Sequence, residues 1–469
     1  MEKILILDFG GPYSRIIARR VRECKVFSQI VSAPVTAEEI EAEKPVGIIV
    51  CGPDGSLPQS DEPIIDSRIF ELGVPVLGIA FGAQLVCSAL GGKISASSEE
   101  NGVVPLVVDN TCSLFSSLIA KTTCFTNHAD GIVQVPTGFR ITAKTERCPV
   151  AALENASRGI YATQFHPEVD TPQGEQLFKN FLYGICGCHA EWTAAAFVRN
   201  SVEEIKEKVG NSKVLLPLSG GVKSGVAAAL LHKAIGDRLI CLHIDNGLLR
   251  KGESEIVNTL FGETEGIPVV TVDAGRRFLG KLIGITEPAA KKKLVAEELA
   301  RIVSEEAAER GATIGVSLAT ESKVPQDDTV VAPFCDLYMD EVRAVGVELG
   351  LPEAFVYSQH FPMSGLCTRI IGEATEDKLS VVREADAILR EEIKSARLRG
   401  ETDAFFALLT DSRVKTIVLR AVKTDDYGRA KWCHLPYDVL EKAAARIAAV
   451  LPEYRVTFDI TATDQTEWE

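Results

Sequence analysis

An apolar run that turns through Ser-Gly-Gly and continues into an Ala- and Leu-rich stretch leaves few choices of fold. Val214-Leu215-Leu216-Pro217-Leu218 reads as a buried strand, Ser219-Gly220-Gly221 as its turn, and residues 222–231 as the helix that follows. Such a unit belongs to an α/β sheet and exposes unpaired backbone N–H groups at the helix start. Glycines let the backbone curl around an anion and the helix end adds partial positive charge, so the turn suits a phosphate. A lone Gly-Gly is as readily a tight turn that binds nothing, and the rest of the chain has to decide.

A chain of 469 residues exceeds one hydrophobic core and suggests about three domains. With 46% apolar and 25% charged residues it has material for large cores and no disordered majority. A formal net charge of −15 argues against nucleic acid or an anionic membrane as the main partner. The 12 cysteines follow no disulfide or metal-finger spacing, and the start, Met1-Glu2-Lys3-Ile4-Leu5-Ile6-Leu7-Asp8, reads as a strand rather than a signal peptide. Both point to reduced thiols and a cytoplasmic location, and no metal site is expected.

Residues 1–190 alternate short β-rich runs, at 4–8, 47–50, 75–79, 124–127 and 161–164, with helix-like stretches, the pattern of a mostly parallel sheet covered by helices. Val76-Leu77-Gly78-Ile79-Ala80-Phe81-Gly82-Ala83-Gln84 has the build of a nucleophile elbow, in which flanking glycines allow a strained turn to present one side chain. That side chain is Ala80, which carries no nucleophile. Downstream, Gln164-Phe165-His166-Pro167-Glu168 ends a strand with an acid placed to orient an imidazole as a general base. Residues 188–197 read as a connection to a helix at 202–209. A second alternating block follows, with a strand at 239–244, the turn Asp245-Asn246-Gly247 and a helix at 289–310 whose Lys and Glu runs read as a solvated face.

The elbow, the Ile48-Ile49-Val50-Cys51-Gly52-Pro53 loop and His166-Pro167-Glu168, in this order, resemble a class I glutamine amidotransferase domain. The resemblance implies a Cys–His–Glu triad that frees ammonia from glutamine, with Ala80 at the lost nucleophile position, His166 and Glu168 as its other members, Gly52 in the oxyanion-hole loop and Gln84 holding substrate. Cys51 and Cys87 sit too far from the elbow to stand in. Ser219-Gly220-Gly221-Val222-Lys223-Ser224 with Asp245-Asn246-Gly247-Leu248-Leu249-Arg250 resembles the ATP pyrophosphatase domain, an adenine nucleotide α-hydrolase-like fold. Together with Arg369-Ile370-Ile371-Gly372-Glu373 and the terminal Glu467-Trp468-Glu469, the order of domains resembles the GMP synthase family, a ligase of purine biosynthesis. The resemblance implies three parts: an amidotransferase-like domain at 1–190, an ATP pyrophosphatase-like domain at 195–355 and an α+β dimerisation-like domain at 356–469. It implies ATP and Mg²⁺ as cofactors, purine nucleotide and glutamine as ligands, and a homodimer. Ser219, Gly220, Gly221, Lys223, Ser224 and Asp245 fall in the cofactor site, and Arg369 and Glu467 in the acceptor site.

Several positions depart from the family's pattern. Lys223 stands where the family has Asp, which removes a carboxylate suited to Mg²⁺ and puts a cation at a helix start. The lid segment before Asp340 is short, Pro362-Met363-Ser364-Gly365-Leu366 replaces a Pro-Gly-Pro-Gly-Leu, and the C-terminal Lys-Pro-Pro that grips phosphate is absent. Losses spread over several steps fit a diverged homologue that binds nucleotide and glutamine, a pseudoenzyme. The alternatives are an ATP-dependent ligase of altered scope, joining ammonia or another amine to a purine nucleotide-like acceptor, and a GMP synthase with an engineered Cys-to-Ala change.

Overall fold

The structure, a computed structural model, describes residues 2–55, 64–95, 99–169, 172–321, 327–359, 361–398, 402–410, 414–424 and 430–461. The chain divides into two compact units, Met1–Ala196 and Phe197–Glu469.

The strands of the first unit are β1 Lys3–Asp8, β2 Phe27–Ser32, β3 Gly47–Cys51, β4 Val76–Ile79, β5 Lys93–Ser95, β6 Glu100–Val108, β7 Lys121–His128, β8 Gly131–Gln134, β9 Arg140–Lys144, β10 Ala152–Asn155 and β11 Ile160–Thr163. Nine of them form one sheet in the order β2-β1-β3-β4-β11-β10-β9-β6-β7, while β5 and β8 pair separately. From β2 to β11 the pairing is parallel. Strands such as β3 and β4 are buried at every position, as expected where helices cover both faces. From β11 through β7 the sheet is antiparallel, which corrects the expectation of a mostly parallel sheet. The reason lies in β6, where Gly102 and Pro105 mask a strand whose inner and outer residues alternate.

A helix at Ala194–Val209, which spans the division between the units, begins inside the stretch read from the sequence as a connection, because Ala194, Ala195 and Ala196 are strong helix formers. The parallel sheet of the second unit is built from β12 Val214–Pro217, β13 Leu239–Asp245, β14 Val269–Asp273, β15 Ile314–Val316 and β16 Val330–Val331, in the order β14-β13-β12-β15-β16. A further sheet joins β17 Ala404–Thr410, β18 Thr416–Thr424 and β19 Ala430–Trp432 in antiparallel pairing, with β20 Arg455–Phe458 parallel to β18. Helices Glu376–Ser395 and Tyr437–Val450 pack together beside it. One apolar cluster includes Leu215, Leu242, Phe278, Val295, Leu389 and Leu419.

The helix at Pro288–Arg310 corrects a second expectation. Lys291 and Glu298 are buried rather than solvated. Lys291 Nζ donates to the carbonyls of Cys367, Ile370 and Gly372 at 3.2, 2.7 and 2.5 Å. Burial opposes ionisation of Glu298, yet hydrogen bonds from Arg301, Lys281 and Arg277 hold its carboxyl at about 2.

Candidate active site

The first site gathers at the C-terminal edge of the parallel strands in the first unit. Ala80 follows β4 with φ 51° and ψ −109°, the backbone of a nucleophile elbow carried by a residue other than glycine. Such strain persists only when its surroundings hold it, and two glycines allow the close approach. A Cβ at Gly82 would lie 1.9 Å from the Val50 carbonyl oxygen, and one at Gly78 2.7 Å from that of Gly82. The helix Phe81–Ala89 is thereby pressed onto β3 and β4. Gly52, just past β3, has no room for a Cβ because the Phe81 ring would be 2.3 Å away, so its loop lies beside the elbow.

Ala80 N–H donates to Thr163 O at 2.8 Å, which joins the elbow to the end of β11. Three residues on, His166 Nδ1 is 2.7 Å from Glu168 Oε1, with both side chains buried. Arg20 Nε donates to the Glu168 carbonyl at 3.0 Å, and His166 N–H donates to Phe125 O at 2.9 Å, so the pair is fixed from both sides. Tyr13 stacks on the imidazole at 4.3 Å between centroids; burial raises its phenol above the usual range. The sequence alone does not single out Tyr13, because only the fold brings the start of the helix Tyr13–Glu23 over His166.

Polar atoms are left without partners here. Among the described residues, His166 Nε2, Gln84 Oε1 and His128 Nδ1 are buried and make no hydrogen bond, while Gln84 Nε2 donates to Asp130 O at 2.9 Å. Buried polar atoms are nearly always paired, so these three are open to water or a polar ligand. The thiols of Cys51 and Cys87 are engaged with carbonyls away from the elbow. Cys51 Sγ faces Leu7 O and Cys87 Sγ faces Gln134 O, both at 3.7 Å; burial pushes both thiols up, that of Cys87 to about 12.

The second site is the turn after β12. Gly220 has φ 80°, Ser219 Oγ lies 3.1 Å from Ser224 Oγ, and the Ser224 hydroxyl donates to Gly221 O at 2.9 Å. Gly225 N–H donates to Gly221 O at 3.0 Å, so the amides of Val222, Lys223 and Ser224 precede the first helical bond. Lys223 is half-buried and makes no ion pair or hydrogen bond with any described residue. Asp245 ends the neighbouring β13, where its Oδ1 accepts from Gly247 N–H at 3.0 Å and its Oδ2 from the Ser254 hydroxyl at 2.9 Å. His243 Nε2 stands 3.0 Å from the same Ser254 Oγ. Among the described residues no group of three or more His, Cys, Asp or Glu is placed to hold a metal ion. A divalent cation of the kind the resemblance implies does not fit these donors: Asp245, the carboxylate among them, already accepts from Gly247 N–H and Ser254, and Lys223 adds a positive charge to the turn.

The third cluster lies in the second unit around Arg369. Its guanidinium sits 3.6 Å over the Phe406 ring, and its Nη1 is buried without a partner among the described residues. Burial first, then the charges of Arg250 and Arg420, bring its pKa down to about 10 against the pull of Asp386. Arg250 stacks 4.1 Å over Phe361, with its Nε 3.6 Å from Asp386 Oδ2. Arg420 donates to Asp459 Oδ2 and to Thr461 O at 2.9 and 3.0 Å. Lys291, through Cys367, Ile370 and Gly372, holds the turn that carries Arg369. Arg250, Asp386 and Lys291 were not singled out from the sequence; only Arg250 had a signal there, at the end of Asn246-Gly247-Leu248-Leu249. Glu467 lies outside the described residues, as do residues 322–326 of the short lid segment.

An elbow above a parallel sheet, with a paired histidine and glutamate at the end of the adjoining strand, is the plan of a class I glutamine amidotransferase. Residues 5–185 match the family described as glutamine amidotransferase class-I, and residues 391–468 that described as GMP synthase C terminal domain. The chain is 42% identical over 507 aligned positions to the GMP synthase [glutamine-hydrolyzing] of Clostridium perfringens, covering 100% of both, and 42% identical over 508 to that of Acetivibrio thermocellus, covering 100% of this chain and 99% of the other. The chain belongs to the GMP synthase family. Those alignments are longer than its 469 residues, so the relatives carry segments that it lacks. A crystal structure of a protein from Thermoplasma acidophilum, described as a putative GMP synthase subunit, is 32% identical, with a TM-score of 0.36, over 40% of this chain and 94% of its own. No helix among the described residues is long and apolar enough to cross a membrane.

Proposed function

We propose that this member of the GMP synthase family binds glutamine and a purine nucleotide without completing amide transfer, and acts as a binding or regulatory homologue. The observation that carries the reading is Ala80, a methyl group at φ 51° where the geometry is arranged for a nucleophile. Glutamine placed at the elbow would meet the free His166 Nε2 and Gln84 Oε1, which supply an acceptor each for its amide protons. With no thiol at the turn, no thioester bond forms and no ammonia leaves. In the second unit, the amides at the start of the helix Val222–Ile235 and the ammonium of Lys223 suit the phosphates of an ATP-like nucleotide. The buried guanidinium groups of Arg250 and Arg369 suit a second anionic group, such as a nucleotide monophosphate. A homodimer is part of this reading.

A thermal-shift panel with glutamine, ATP, AMP, xanthosine monophosphate and GMP tests it, because a ligand of the native state raises the melting temperature by mass action. The reading expects shifts with glutamine and with at least one nucleotide, and no glutamate or pyrophosphate in the same wells. Product formation from glutamine or ATP would instead favour a ligase of altered scope.

A further inference from the structure

We infer that the Ser219–Ser224 turn takes its anion without a divalent cation, with the Lys223 ammonium in the place of the metal's charge. This rests on the proposed reading of the turn as an anion cradle and goes beyond it in naming the form of the ligand: a free phosphate or diphosphate group rather than its Mg²⁺ complex.

Three observations converge. The residue in the first turn of the helix Val222–Ile235 is a half-buried lysine with no partner among the described residues, so three N–H donors remain for a ligand. Asp245, the carboxylate at the end of the adjacent strand, already accepts from Gly247 N–H and from Ser254, whose oxygen is itself within 3.0 Å of His243 Nε2. Glu253, whose side chain would be 3.8 Å from a Cβ on Gly220, accepts from Arg250 N–H at 3.0 Å. Mg²⁺ beside a phosphate would be held by one or two carboxylates together with waters and the phosphate itself; here the carboxylates of Asp245 and Glu253 are already bonded to protein donors and the first-turn residue is an ammonium, which binds phosphate oxygens directly. The turn therefore discriminates by charge: the bare anion is attracted, and chelation by Mg²⁺ weakens the attraction.

The test is isothermal titration calorimetry of the full chain with inorganic pyrophosphate, in EDTA and in excess Mg²⁺. Saturable binding in EDTA that weakens about tenfold in Mg²⁺, and a Lys223→Ala variant that binds about tenfold more weakly in EDTA with an unchanged melting temperature, are expected. Binding that requires Mg²⁺, or strengthens with it, overturns the inference and leaves the cradle reading standing. Equal affinity of Lys223→Ala in EDTA also overturns it, since the anion then sits elsewhere. No binding under either condition overturns both the inference and the cradle reading.

Discussion

His166 Nδ1 stands 2.7 Å from Glu168 Oε1, and its Nε2 is buried with no hydrogen-bond partner among the described residues. An imidazole paired in this way donates through Nδ1 to the carboxylate, which leaves Nε2 as the ring nitrogen open to a ligand. In the proposed reading the proton source would stand at Ala80, and alanine has none to give.

Restoring it should restore the chemistry. An Ala80→Cys variant is expected to release glutamate from glutamine at a rate about 100-fold above the parent, and His166→Ala in that background to abolish the gain. A coupled glutamate dehydrogenase assay reads both. An Ala80→Cys protein that binds glutamine and stays inert would mean that the oxyanion-hole loop at Gly52 is not competent.

The elbow depends on backbone contact at Gly82. The Cβ of Gly82→Ala would lie 1.9 Å from Val50 O and 2.5 Å from Val50 C, atoms of a central strand that cannot rotate away. A loss of about 3 kcal/mol is expected. Urea denaturation followed by far-ultraviolet circular dichroism measures it, and a loss under about 0.5 kcal/mol, the range of an indifferent surface change, would contradict the packing.

His128 gives the first unit a pH dependence of definite sign. Burial, opposed by the Glu100 carboxylate, pushes its imidazole below the ordinary 6.5. The unfolded chain then binds the proton more readily, so the contribution to stability is complete above 6.5 and is lost as pH falls from there through the folded-state value. Melting curves between neutral and mildly acidic pH should show this fall, and a His128→Gln variant should flatten it. An unchanged slope would remove His128 from the account.

Lys291 anchors the turn bearing Arg369. Lys291→Met removes three hydrogen bonds to buried carbonyls and should cost about 3 kcal/mol. Lys293→Met, at a side chain 78% exposed two residues along the same helix, should stay within about 0.5 kcal/mol. Equal effects in urea melts would contradict the assigned roles.

How much of the fold and site is legible in the sequence follows from how local each feature is. Elbow, His166-Pro167-Glu168 and the Ser219–Ser224 turn each occupy a few consecutive residues, so glycine spacing and a strand ending announce them. Arg369 is legible through a motif, but its stacking on Phe406 is not, since β17 lies well beyond it in sequence. Lys291 reads as one of a row of solvated lysines; its burial is decided by carbonyls more than 70 residues away. In the same way β6 is hidden by Gly102 and Pro105, which a strand near a sheet edge tolerates, and Tyr13 acquires meaning only once it lies over His166.

The central claim is a glutamine site that holds its ligand and leaves it intact. Isothermal titration of the full chain with glutamine, with glutamate measured in the same cell at the end, tests it most directly. Saturable binding with no glutamate is the predicted result. Glutamate that accumulates with time and disappears in a His166→Ala variant would contradict it.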